Sequence, residues 1–318
     1  MNGYQRDGAD HEWALYRKSL KRMLLVNVLH MVLFKLCSQL APRQSQYLML
    51  LYWIAAQIYL TSAGCVMWVI GLAIILGVLV HWLRNELFFW CLIVIFMLKV
   101  TSVAHFSETE DAYYREFNYY LYSAVKILNF CIYLSRNRLR AVDAPLIMRY
   151  AQYVFYPPYS FILIVLFDDF DKQMSEVEQT NFGRGSFTDY GSIIARLLRV
   201  VLWFVAFEAL LHSVYIHSLF SVSPALFSTL SEYELASVAY LNGKLFYMKY
   251  LLIFGIPSWF ALADGMRPPE GPICISRISS YSRMWRTFDR GLYQFLKVQV
   301  CVPFSKLLVA YVVRAYMD

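Results

Sequence analysis

Residues Gln44 to Leu83 read QSQYLMLLYWIAAQIYLTSAGCVMWVIGLAIILGVLVHWL, forty residues without Asp, Glu, Lys or Arg. At about 20 residues per crossing, this length holds two transmembrane helices. Thr61-Ser62-Ala63-Gly64, at its middle, supplies the small residues of the turn between them. A membrane hairpin is the simplest reading. The whole chain agrees with it: 59% of residues are hydrophobic and 16% charged, whereas ordinary soluble domains have roughly 45–50% and 25%.

Outward from the hairpin, apolar segments recur at Met23 to Leu40, Leu87 to Leu98, Phe117 to Leu134, Leu146 to Phe167, Ile193 to Val222, Ala236 to Ala263 and Val298 to Tyr316. The pattern predicts an all-α polytopic membrane protein, one membrane domain over 1–318 with about eight or nine membrane segments, some of them re-entrant. Lys126, Arg149, Glu208, Lys244 and Lys249 interrupt the apolar runs. Pro157-Pro158 and Gly255-Ile256-Pro257 are expected to break helices. Ionisable residues at membrane depth face protein or a wet cavity, so the expectation is a bundle with a polar interior. Residues 1–22 are polar and mixed in charge, without the apolar core of a secretory signal. The first span is expected to act as its own signal anchor.

The formal charge of +7 is unevenly spread. Arg136, Arg138, Arg140 and Arg149 form one cluster, and Arg267, Arg277, Arg283, Arg286 and Arg290 another. Lys/Arg excess marks cytoplasmic loops, which accounts for both clusters by topology alone. The sharper reading of the second cluster is a phosphate-bearing ligand, because guanidinium groups bind phosphate in forked geometry. No continuous basic stripe exists, so nucleic acid is excluded as a partner. Six cysteines show no CxxC spacing, and most lie in apolar runs as small hydrophobes. Cys274 differs, because Asp264-Gly265-Met266-Arg267-Pro268-Pro269-Glu270-Gly271-Pro272 ahead of it forbids a regular helix and shapes a loop. His212 and His217 lie about 140° apart on a helix, too far for a shared metal. Glu208, one turn before His212, is the expected partner of that histidine.

Met284 to Lys297 reads as one helix, with Asp289 on the face of Trp285, Leu292, Tyr293 and Leu296, and Arg286, Arg290 and Lys297 on the adjacent stripe. An acid so placed is a functional-site candidate by default. Its bland alternative is an Arg286–Asp289 ion pair at i,i+3.

The run Phe246-Tyr247-Met248-Lys249-Tyr250-Leu251-Leu252-Ile253-Phe254-Gly255-Ile256-Pro257 is followed by Asp264-Gly265 with Pro268-Pro269 and by Cys274. Met284-Trp285-Arg286-Thr287-Phe288-Asp289 with Gly291-Leu292 completes the order. Together these residues resemble the Hedgehog acyltransferase branch, the protein-cysteine N-palmitoyltransferases, of the membrane-bound O-acyltransferases. The specific part is 246–296. Weaker similarity reaches back through Lys172-Gln173-Met174 and Tyr156-Pro157 to Asp10-His11-Glu12-Trp13, and so over nearly the whole chain.

The resemblance implies a multi-pass protein of the endoplasmic reticulum membrane. It implies transfer of palmitate from palmitoyl-CoA to the N-terminal cysteine of a secreted Hedgehog-type signalling protein, with formation of an amide. By the same resemblance Asp289 matches the catalytic aspartate, Trp285 lines the acyl-CoA site and Cys274 matches a haem-binding cysteine. Arg286, within the cationic stripe, suits the coenzyme A phosphates. The family's catalytic histidine follows its aspartate on a later span, and this chain has no histidine after His217. The expectation is therefore an incomplete bundle, truncated before that histidine and inactive by itself. The alternative is a catalytically inert membrane regulator that binds acyl-CoA or substrate without transferring anything.

Overall fold

The computed structural model describes residues 6–41, 44–179, 190–220 and 224–301. The described residues form twelve α-helices, short 3-10 turns and no strand. A helical hairpin is present as α2 (Ser45–Leu60) and α3 (Ala63–Leu83), but only α3 has the length of a membrane crossing, α2 having 16 residues; the turn needs only Thr61 and Ser62, whose side chain accepts from the Cys65 amide. Before it, α1 (His11–Leu40) starts twelve residues earlier than the first apolar run, capped by Asp10. After it come α4 (Glu86–Val103), α5 (Glu110–Arg136), α6 (Ala144–Phe155), α7 (Phe167–Gln179), α8 (Tyr190–Ser213) and α9 (Ile216–Phe220). The described chain ends with α10 (Glu232–Ala263), α11 (Tyr281–Phe288), α12 (Arg290–Leu296) and a π turn, Lys297–Cys301. Most of the segment expected at Val298 to Tyr316 lies outside the described residues.

Among the described residues four helices, α1, α3, α4 and α10, are long and apolar enough to cross a membrane. Their outward faces are apolar as well: Leu25, Ile74, Ile95 and Leu98 are all more than half exposed. In water such surface is unfavourable by roughly 25 cal/mol per Å²; against lipid it is neutral, and the chain is a membrane protein. The centre of the bundle is α5, packed on α1, α3, α4, α6 and α7.

All five ionisable residues that interrupt the apolar runs have partners inside the protein. Lys249 Nζ lies 2.9 Å from both Asp10 and Glu12. Glu208 accepts from Trp13 Nε1 at 3.0 Å and pairs with Arg6. Arg149 forks between Asp171 and Glu178, joining α6 to α7, and Lys244 reaches Cys274. Lys126, fully buried, donates to the Val154 carbonyl. That carbonyl is orphaned because Pro158, four residues on, has no N–H to give it. Gln57 donates to the next carbonyl, Phe155 O, and to Ser160 Oγ. Pro157-Pro158 thus ends α6 as expected. Gly255-Ile256-Pro257 does not: α10 runs unbroken for 32 residues through Pro257. Packing on α1 and α8 holds that helix in place despite the missing bond.

A second set of buried polar groups has no counterpart in the sequence reading. Trp53 Nε1 donates to His30 Nδ1 at 2.9 Å, which leaves the ring proton on Nε2 to donate to Asp264 Oδ2 at 2.7 Å. Tyr156 OH donates to the same oxygen at 2.7 Å. Four segments, α1, α2, the end of α6 and the end of α10, converge on one carboxylate.

Asp264→Ala leaves two buried donors without an acceptor, at about 1–3 kcal/mol each. Asp264→Asn, which keeps an acceptor oxygen, is expected to lose less. Thermal unfolding in detergent ranks the two, and equal melting of both variants with the parent chain refutes a structural role for this node.

Candidate active site

The backbone between Asp264 and Arg290 is irregular for reasons the sequence states. Gly265 takes a positive φ of 89°, which ends α10 and turns the chain. The Arg267 amide then donates to Gln173 Oε1 at 2.6 Å, and its guanidinium pairs with Glu176, so the loop is pinned to α7. Ser280 caps α11. Phe288, in the last turn of α11, stacks on Phe246 (5.3 Å between centroids) and meets Tyr250 edge-on (4.9 Å). This seats α11 on the aromatic stripe of α10.

Met284 to Lys297 is not one helix. At Asp289 the backbone is extended (φ −121°, ψ 92°), and the residue ends α11 and caps α12, accepting from the Leu292 amide at 2.9 Å. Asp is among the best N-caps, and its side chain satisfies a donor that helix continuation would otherwise satisfy. The acid is therefore not on a helix face with Trp285 and Leu292; it sits at the junction. Nor does it pair with Arg286. That guanidinium holds Ser282 Oγ at 2.7 Å, and Arg290 pairs with Glu270. Asp289 is partly buried. Desolvation raises its pKa above the ordinary aspartate range, and the backbone amides of Leu292 and Gly291 offset only part of that. Tyr122 on α5 is its electrostatic neighbour.

On the other side of the junction lies a cavity of about 560 Å³. Arg267, Arg286 and Arg290 line it, with Asp169, Glu270 and the chain at Ile164–Leu166. Its shape depends on Gly291. A Cβ there would stand 2.3 Å from the Ile164 carbonyl oxygen, so only glycine lets α12 close against that stretch. Of the residues singled out in the sequence, Arg267, Arg286 and Arg290 line this cavity; Asp289 and Trp285 are not among its lining residues, and Asp289 borders it through its neighbours Arg290 and Gly291. Trp285 is 57% exposed, touching Tyr281 edge-on.

Cys274 is not among the cavity residues. It opens the 3-10 turn Ile275–Arg277, and its sulfur accepts from Lys244 Nζ at 3.1 Å and lies 3.6 Å from Ser276 Oγ. Partial burial raises the thiol pKa, but the hydrogen bonds from Ser276 and Lys244 outweigh it and bring the value below that of a free thiol. His212 bonds the Glu208 backbone carbonyl rather than its carboxylate, and His217 lies near Asp7 and Asp10. Among the described residues no cluster of three His, Cys, Asp or Glu is placed to hold a metal. The sequence pattern names Phe288 and Gly291 within the family-like run but assigns neither a role. A glycine one residue into a helix that follows an aspartate was the signal for the second, and the Phe246, Tyr250, Phe254 repeat for the first.

No protein-family model matches the chain. The mouse (Mus musculus) protein-cysteine N-palmitoyltransferase HHAT is 28% identical over 326 residues, 95% of this chain and 62% of that protein. The Drosophila melanogaster protein-cysteine N-palmitoyltransferase Rasp is 35% identical over 103 residues, 32% of this chain and 21% of its own length. The chain is homologous to these acyltransferases and spans about 62% of the length of the mouse relative.

Two outcomes follow from this geometry. Gly291→Ala must push α12 off the Ile164 backbone, an overpacking cost of about 1–3 kcal/mol, read as a lower melting temperature and faster proteolysis near 290. Maleimide labelling of Cys274 is expected to reach half-maximal rate at a pH below that of a free cysteine. Lys244→Met, which removes a donor to the thiolate, moves that midpoint upward.

Proposed function

We propose that the chain provides the acyl-donor site and the acid of a membrane-bound N-palmitoyltransferase. Its donor is palmitoyl-CoA, and its acceptor is the N-terminal cysteine of a secreted Hedgehog-type signalling protein, in the endoplasmic reticulum. One observation carries this reading: three arginines face one cavity immediately beside an aspartate whose charge is poorly solvated. A coenzyme A donor presents phosphates to bind, and guanidinium forks suit them. The acyl tail suits the apolar bundle, since each buried methylene contributes about 0.8 kcal/mol.

Amide formation requires the substrate's α-amine nitrogen to attack the thioester carbonyl carbon. The C–S bond breaks, coenzyme A leaves as thiolate, and the amine gives up a proton. Asp289 is suited to hold the substrate's ammonium group and to accept that proton. Two backbone N–H groups use only part of a carboxylate's acceptor capacity, and a raised pKa makes the carboxylate a better base. Trp285, one turn before the acid and open to solvent, is not among the residues lining the cavity, and in this reading it covers the incoming donor from outside it. The cap bonds fix the carboxylate before substrate arrives, the kind of positioning on which acyl transfer depends.

Haem fits poorly. The Cys274 sulfur suits an axial ligand, but Lys244 and Ser276 contact it and Tyr240 joins the same polar cluster through Ser276, where a porphyrin face needs apolar cover. No step runs through haem.

The test separates binding from transfer. Retention of radiolabelled palmitoyl-CoA by the purified chain is expected to fall at least tenfold in Arg286→Ala/Arg290→Ala. Incorporation of an alkyne palmitate into an N-terminal cysteine peptide is expected to vanish in Asp289→Asn, which keeps the cap and so the fold. Undiminished transfer by Asp289→Asn overturns the acid's role. Retention of donor without transfer by the parent chain agrees both with a chain that is inactive by itself and with the inert, acyl-CoA-binding alternative; transfer by the parent chain overturns both.

A further inference from the structure

A second cavity, of about 550 Å³, lies far along the chain from Asp289, between α3 and α6. One wall is the α3 face of Ala73, Ile74, Gly77, Val78, His81 and Trp82, at helical spacing; the other is the α6 face of Ile147, Tyr150, Ala151 and Val154. The lining is almost wholly apolar. Tyr150 bridges the walls through its hydroxyl, which donates to the Ala73 carbonyl at 3.2 Å, and its ring passes 3.5 Å from where a Gly77 Cβ would stand. Ile74, Val78 and Ile147 are more than half exposed, so the groove opens sideways onto the surface that faces lipid.

Its mouth is cationic. Trp82, 78% exposed, and His81 stand at the last turn of α3, and Val142 lines the groove from the loop opposite. Between them Arg84, in the left-handed region at φ 40°, donates to the carbonyls of Asn137, Arg138 and Arg140 and curls that loop over the groove. The side chains of Arg138 and Arg140 are left pointing outward and exposed. No carboxylate among the described residues pairs with them: Glu86 is held by Arg136, and Asp143 caps α6. Leu139, between the two arginines, is fully exposed. An exposed leucine flanked by arginines and near an exposed tryptophan is the pattern of a loop resting in the headgroup layer.

We propose that this groove is a binding site for an anionic glycerophospholipid, with one acyl chain between α3 and α6 and the phosphate and headgroup charge on Arg138 and Arg140. Charge complementarity selects the occupant. An apolar slot alone takes any bilayer lipid, and two unpaired arginines at its mouth favour one with net negative charge, each by about fivefold. The site is independent of the acyltransfer reading.

The full chain, exchanged into nanodiscs of equal phosphatidylglycerol and phosphatidylcholine and then released for native mass spectrometry, is expected to retain phosphatidylglycerol about 25-fold over phosphatidylcholine. Arg138→Ala/Arg140→Ala, at exposed positions, is expected to abolish the preference while leaving melting unchanged. Gly77→Leu, which fills the slot against Tyr150, is expected to reduce retention of both lipids and to leave palmitoyl-CoA retention intact. Equal retention of the two lipids by the parent chain overturns the proposal. So does a Gly77→Leu variant that loses palmitoyl-CoA and keeps phosphatidylglycerol, which makes the groove a donor site instead.

Discussion

One buried carboxylate, Asp264, organises the bundle. It accepts from His30 on α1 and from Tyr156 after α6, while Trp53 on α2 orients the histidine ring. In an apolar surround a carboxylate without donors is untenable, and donors without the carboxylate are nearly as costly. The two bonds to Oδ2 therefore tie together helices that apolar side chains alone would not align, while Oδ1 has no partner among the described residues; packing between lipid-facing helices carries little hydrophobic drive. Asp264 is also the C-cap of α10, immediately before the positive-φ Gly265. The same residue that locks the core thus sets where the chain leaves it toward Cys274 and Asp289.

The irregular backbone around the candidate active site obeys the same rule. Pro157-Pro158 frees two carbonyls at the end of α6, and Lys126 and Gln57 satisfy the groups nearby, so the chain can continue through Ile164 without a helix. That stretch then presents its backbone to α12, where Gly291 alone permits the approach. The cavity lies along this contact. Its arginines are available to a ligand because their acidic partners, Glu176 and Glu270, are themselves largely exposed and weak competitors.

The all-α membrane class and the hairpin were legible because forty uncharged residues leave no other solvent, and the partnered lysines and arginines because an unpaired charge in lipid is prohibitive. The helix break at Asp289 was not. Periodicity carried one helix through 284–297, and nothing in the 3.6-residue pattern distinguishes an aspartate on a helix face from one capping the next helix; tertiary contact at Gly291 decides it. Pro257 failed in the opposite direction, because a helix of 32 residues with packed neighbours outvotes one missing bond. His30 escaped notice because its partner Asp264 lies 234 residues away in sequence, and Trp53 because its link to that carboxylate runs through the His30 ring.

The two properties of Asp289 come from one placement. As a cap it must lie outside the helix, where its carboxylate meets the first amides of α12, and there it is also partly buried, with Tyr122 of α5 as an electrostatic neighbour. Those amides stabilise the anion, and the burial destabilises it; the raised pKa records that burial wins. Such a residue is held in place by its ionised form and kept basic by its surroundings. A solvated surface cap would have the first property without the second, and an acid on the side of a continuous helix, as the sequence pattern predicts, would have the second without the first.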